Sequence, residues 1–177
     1  IPIRENRVKR VIYAGSLGDG YDIETIINLA EIRDDIKIII AGSGPQASLC
    51  KEADKRGVIT YLGQVGKGEL RELYLTSDIG LLPYKKNSAV AMPIKFFDYI
   101  SYDLKIVSSL NLESSDIILQ NKIGCVYESE SLTSLSSSID KVIELPYLKD
   151  KFDTLKRFYD LDRQYDNFTK KIISLIS

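Results

Sequence analysis

Lys95 and Asp98 lie three residues apart in Pro93-Ile-Lys-Phe-Phe-Asp-Tyr99, a segment with the pattern of a helix start. That spacing puts an ammonium and a carboxylate on one helical face. The unsatisfied N–H groups of a helix start, aided by the macrodipole, favour an anion such as a diphosphate. A carboxylate one turn further in can accept two hydrogen bonds from a diol such as ribose hydroxyls. Anion plus diol is the chemistry of a nucleotide-sugar. The bland alternative is an i,i+3 pair on a solvated face, worth a few tenths of a kcal/mol. The basic pair Lys85-Lys86 on the preceding loop can face phosphate or simply be solvated.

Other chemistry is excluded by composition. The 177 residues contain no histidine, so neither a histidine-based nucleophile nor a His-ligated metal can exist here. The two cysteines, Cys50 and Cys125, are too few for a disulfide framework or zinc site and read as small core or surface residues. A net charge of −1 argues against an extended nucleic-acid surface. No apolar run approaches the roughly 18 residues needed to span a bilayer. Residues 1–10 carry a charged Arg4–Arg10 segment and read as the tail of a linker, with residues 11–177 as one domain of a longer protein.

The elements that must position these residues alternate. Apolar, β-branched runs at Val11–Ala14, Ile36–Ala41, Val58–Leu62, Ile79–Leu82, Leu104–Ser108 and Gly124–Tyr127 are separated by amphipathic segments. These segments fall near Asp22–Arg33, Pro45–Arg56, Lys67–Thr76, Pro93–Tyr102 and Ser114–Gln120. Near-continuous apolar strands, each followed by a helix, predict a six-stranded, mostly parallel, doubly wound α/β sheet of Rossmann type. Three further helices are expected at Leu132–Leu145, Leu148–Tyr159 and Asp162–Ile176, the aromatic residues of the last ones serving packing. In the order 3-2-1-4-5-6, winding reverses between the first and fourth strands, and ligands sit at that switch point. Its flanking loops are Gly15-Ser-Leu-Gly-Asp-Gly20 and Pro83–Met92.

Three glycines in Gly15–Gly20 let a backbone approach a ligand and expose N–H groups; a flexible turn is the alternative. Gly42-Ser-Gly-Pro-Gln-Ala47 fits G-x-G-x-x-[G/A] literally, with Pro45 suited to the first helical position. The next strand, Tyr61-Leu-Gly-Gln-Val65, lacks the acid that a dinucleotide site requires, so a tight turn at the edge of a ligand is the preferred reading.

Taken in order, these motifs resemble the C-terminal, donor-binding domain of GT-B fold glycosyltransferases, in the retaining group that uses nucleotide-diphospho-sugars. Val11-Ile-Tyr-Ala-Gly-Ser-Leu17 is similar to that family's first strand and glycine loop. Ile38-Ile-Ile-Ala-Gly-Ser-Gly-Pro45 resembles its G-x-G-P turn, and Pro93–Tyr99 its P-x-K-x-x-E-Y helix start. The resemblance implies that Asp98 replaces the glutamate that binds the ribose hydroxyls. Met92, Pro93, Ile94 and Lys95 would face diphosphate or sugar. Gly15, Ser16, Leu17, Gly18, Asp19 and Gly20 would lie beneath the phosphates, with Gly44 at the edge and Gly63, Gln64 and Val65 near the base. No cofactor, metal or catalytic residue is implied; a nucleotide-diphospho-sugar, such as a UDP- or GDP-sugar, is the substrate, and the sequence leaves its nucleotide open.

Three departures stand out. Val90 occupies the place of the family's sugar-contacting glutamate, Ser16 that of an arginine, and Asp19-Gly20 that of a lysine. The implied whole protein transfers a hexose-type sugar to a glycan or lipid-linked acceptor held by an N-terminal domain, in polysaccharide biosynthesis. It would be cytoplasmic, or peripheral at the inner face of the membrane. A non-catalytic, degenerate GT-B module serving as scaffold or partner subunit is the alternative, and an epimerase of the same two-domain fold a more distant one.

Overall fold

The structure is a computed structural model that describes residues 8–160. Six strands form one parallel sheet: β1 (Lys9–Ala14), β2 (Ile36–Ala41), β3 (Thr60–Tyr61), β4 (Ile79–Leu82), β5 (Lys105–Ser108) and β6 (Gly124–Val126). Their spatial order is β3-β2-β1-β4-β5-β6, all neighbours parallel, as the alternating pattern predicted. β1 begins two residues before the expected Val11, because Lys9 and Arg10 pair with Ile36 and Lys37. The expected third C-terminal helix, Asp162–Ile176, lies outside the described residues.

Successive strand residues point to opposite faces, so Val11 and Tyr13 serve one core and Ile12 and Ala14 the other. The first core is closed by α1 (Ile23–Ile32), α2 (Ala47–Lys55) and α6 (Leu132–Glu144), through residues such as Ile26, Cys50 and Ile139. The second is closed by α3 (Lys67–Leu75), α4 (Ile94–Ser101), α5 (Glu113–Asn121) and α7 (Lys149–Phe158), through Tyr74, Phe96, Ile118 and Phe152. Among the described residues, no helix is long and apolar enough to cross a membrane.

One start signal reads differently in three dimensions. Pro45 is not the first residue of α2 but lies in the turn before it, and Gln46 takes the N-cap position. The cause is tertiary: Gln46 donates its backbone N–H to the Leu17 carbonyl at 3.0 Å, which holds it out of the helix. By contrast, α1 starts as a local rule dictates, with the Asp22 side chain accepting from the Thr25 N–H.

α4 is seated tightly. The Tyr99 ring lies on Gly80 of β4, where an added Cβ would come within 2.5 Å of it. The Tyr99 hydroxyl donates to the Leu81 carbonyl at 3.0 Å. This buried ring fixes the distance between sheet and helix, and therefore the place of Lys95 and Asp98 on that helix.

Candidate functional site

At the carboxyl edge of the sheet, the chain leaves β1 and β4 side by side and the two departing loops are zipped together. Asp22 donates its N–H to the Pro83 carbonyl at 2.8 Å, and Lys85 donates to the Gly20 carbonyl at 2.9 Å. Tyr21 and Tyr84 form an antiparallel bridge, their ring centroids 5.0 Å apart. The switch-point loops named from sequence are thus one surface.

The Gly42–Gln46 turn supports this surface from beneath. Gly15 donates to the Ala41 carbonyl at 2.8 Å and Leu17 to the Ser43 carbonyl at 2.9 Å. At Gly42, φ is +149° and an added Cβ would fall 1.8 Å from the Gly15 oxygen; at Gly44, φ is +152° and a Cβ would meet the Leu17 carbonyl at 2.7 Å. Only glycine allows backbones to approach this closely. The dinucleotide-like spacing is therefore a clasp between two loops. Gly44 is part of it, and its Cα faces Leu17.

Hydrogen bonding polarises the first loop. The carbonyls of Ser16, Leu17, Gly18 and Gly20 all accept from the protein: from the Tyr13 hydroxyl, the Gln46 N–H, Tyr21 N–H with the Gln46 side chain, and the Lys85 N–H respectively. The N–H groups of Ser16, Gly18, Asp19 and Gly20 donate to nothing among the described residues. With carbonyls occupied and N–H groups spare, the backbone of the loop presents donors rather than acceptors, although the exposed Asp19 side chain adds a negative charge. At the start of α4, the N–H groups of Ile94 and Lys95 are likewise free among the described residues.

Lys95 reaches back over the glycine loop. Its Cε sits where a Gly15 side chain would begin, 2.0 Å from an added Cβ. Its Nζ lies 5.0 Å from the Tyr21 ring centroid and 5.5 Å from that of Tyr13. Asp98, half-buried one turn on, has no hydrogen-bond or ion-pair partner among the described residues. Burial pushes its carboxyl up from the usual carboxylate range, and the nearby Lys95 charge partly offsets this.

The remaining predicted residues divide. Val65 and Met92 are both half-buried against the second core. Gly63 takes a left-handed conformation, φ +65°, and its carbonyl accepts from Gly42 at 2.6 Å, while Gln64 is exposed. Leu17 is fully buried and both of its backbone groups are used in the clasp, so it has nothing left to offer a ligand. Pro93 is buried, whereas Ile94 is 80% exposed. Lys85 lines a cavity of about 280 Å³ together with Asp22, Glu24 and Glu130. Sequence reasoning missed Tyr13, Tyr21 and Tyr84; their placement depends on cross-strand neighbours, which no local spacing reports. Among the described residues, no cluster of His, Cys, Asp and Glu is arranged to hold a metal ion.

A doubly wound sheet, with a donor-rich glycine loop at its switch point and a lysine of α4 reaching over that loop, defines an α/β domain of Rossmann type. The family model for glycosyl transferases group 1 matches residues 3–158, and the chain belongs to that family. Its fold is that of the C-terminal domain of GT-B glycosyltransferases. Among solved structures, it is similar to the lipopolysaccharide outer core galactosyltransferase WaaB in its apo form (TM-score 0.73, 21% identity, 98% of this chain and 51% of that one). It is similar also to Anabaena HepE in complex with UDP (TM-score 0.75, 11% identity, 96% and 49%). The catalytic domain of cholesterol-α-glucosyltransferase from Helicobacter pylori matches as well (TM-score 0.64, 19% identity, 95% and 99%). The chain spans about half the length of the WaaB and HepE chains. No curated protein matches at a significant level.

Proposed function

We propose that this chain binds the nucleoside-diphosphate part of a sugar donor and forms the donor half of a glycosyltransferase acting on a glycan or lipid-linked acceptor. The observation that carries this reading is one of polarity: the 15–20 loop and the α4 start keep spare N–H donors, the unpaired Lys95 ammonium reaches over that loop, and the unpaired Asp98 carboxylate lies one turn further along α4. HepE, of similar fold, has been crystallised with UDP, with UDP and glucose, and with UDP-glucose, which supports a uridine-type donor of a hexose.

In glycosyl transfer, the bond between the anomeric carbon and the diphosphate oxygen breaks, and negative charge grows on the leaving diphosphate. Preorganised donors aimed at that charge lower the barrier. Here the loop amides and Lys95 supply them, Asp98 accepts from the ribose diol, and Gly63, Gln64 and Val65 border the base. The acceptor and its binding groups belong to an N-terminal domain in this proposal, so the 177-residue chain binds nucleotide weakly and transfers nothing by itself. The whole protein then works in the cytoplasm or at the inner face of the membrane.

Titration of the chain with UDP- and GDP-sugars, followed by NMR, tests the reading. Amide shifts in the 15–20 loop and around Asp98 are expected; no shifts there at millimolar ligand would overturn it.

A second reading, a degenerate module acting as scaffold or partner, draws on Val90, Ser16 and Asp19 at positions where the family carries charged donor contacts. Transfer assays on the intact parent protein discriminate between the two. Loss of activity in Asp98→Ala and Lys95→Ala supports the enzyme, and unchanged transfer in both supports the scaffold.

A further inference from the structure

Lys95 is surrounded in an unusual way for a surface lysine. Its Nζ rests over two tyrosine rings, at 5.0 Å from Tyr21 and 5.5 Å from Tyr13, and its stem occupies the space left by the absent side chain of Gly15. It forms no hydrogen bond or ion pair among the described residues. The rings are themselves fixed. Tyr13 is fully buried and its hydroxyl donates to the Ser16 carbonyl at 2.5 Å, while Tyr21 is bridged to Tyr84 on the opposite loop.

A free lysine side chain samples many rotamers and loses that freedom when it grips an anion. An aromatic face restrains the ammonium by its quadrupole without offering an oxygen that competes with a phosphate. A carboxylate in the same place would neutralise the charge instead.

We propose that Tyr21, with Tyr13 beneath it, is a positioning residue that holds the Lys95 ammonium over the glycine loop as the diphosphate-binding cation of this site. The inference rests on the donor-binding reading given above. It also explains how a loop with Ser16 and Asp19, where basic residues are usual in the family, can still meet a diphosphate: the charge comes from the next helix and is set in place by rings on the loop.

Tyr21 is half-buried, so it can be replaced with less risk to the core than Tyr13. The test measures affinity of the 177-residue chain for UDP, GDP and ADP, and for the nucleoside of whichever binds. Tyr21→Leu should weaken the diphosphate about three- to tenfold and leave the nucleoside unchanged. Tyr21→Phe, which keeps the ring face, should bind as wild type does. In a Lys95→Met background, Tyr21→Leu should add nothing, because the ring acts through the lysine.

Equal loss for nucleoside and diphosphate would overturn the inference, as would an effect fully additive with Lys95→Met, or a Phe variant as weak as Leu. The two levels of the argument separate cleanly. If wild type binds none of the three diphosphates at millimolar concentration, the donor-binding reading fails and this inference with it. If binding is lost in Asp98→Ala but insensitive to Tyr21→Leu, only the role of the rings fails.

Discussion

Among the described residues, Asp98 lacks the partners that a structural carboxylate normally has. A structural acid at half-burial is normally stabilised by a hydrogen bond or ion pair, which lowers its pKa. Asp98 has neither among the described residues, and its carboxyl is raised by burial, with Lys95 acting in the opposite sense. The sign of the linkage follows. The folded chain holds the Asp98 proton more tightly than the unfolded one, so the favourable contribution is present below 3.8 and is lost as pH rises through the raised value. At neutral pH the ionised group therefore costs stability. Asp98→Asn should raise Tm at pH 7 by about 1–2 °C, a small figure because half-exposure screens the charge, and the gain should vanish below pH 3.8. The same variant should weaken nucleoside-diphosphate binding, and wild-type affinity should fall as the acid protonates. Thermal melts from below pH 3.8 up to pH 7, with titrations over the same range, check both signs; a drop in Tm at pH 7 would mean that the carboxylate supports the fold.

Among the elements, the two glycine loops have separate tasks, and the sequence shows their glycines without showing the division. Gly42 and Gly44 permit contact between backbones, whereas an added Cβ at Gly20 would meet nothing within 4 Å. Gly42→Ala should accordingly destabilise the chain by about 2–4 kcal/mol, combining a strained backbone with overpacking. Gly20→Ala should stay within about 0.5 kcal/mol of wild type. Chemical denaturation of both variants measures the contrast, and equal losses would argue against the clasp. The same distinction explains what could be read beforehand. Strand positions, and helices such as α1 with its Asp22 cap, follow from local pattern and were legible. Pro45 misled because a long-range bond from Gln46 to Leu17 overrides a local start signal. The G-x-G spacing identified a tight turn, but not that its partner is the loop after β1. Lys95 and Asp98 were legible from helical spacing, whereas the tyrosines under Lys95 were not, since Tyr21 and Tyr84 meet only once β1 and β4 are adjacent.

At the scale of the whole molecule, strand order places the site and the hydrogen bonds around it divide rigid groups from available ones. The reversal between β1 and β4 puts two loops in contact that are more than sixty residues apart in the chain, and the β2 turn locks the first of them to the sheet. Such a platform should open only with the surrounding fold, whereas amides with no acceptor exchange with solvent directly. The pattern along residues 15–22 is therefore specific. The amides of Gly15, Leu17, Tyr21 and Asp22, each bonded to a carbonyl, should exchange slowly, while those of Ser16, Gly18, Asp19 and Gly20 exchange fast. A bound diphosphate supplies acceptors to the second set alone. Hydrogen exchange followed by NMR should thus show protection gained at Ser16 and Gly18–Gly20 on adding the nucleoside diphosphate, with Gly15 and Leu17 nearly unchanged. Uniform protection across the loop would mean that the ligand orders a loose segment. No change at the four free amides would place the diphosphate elsewhere.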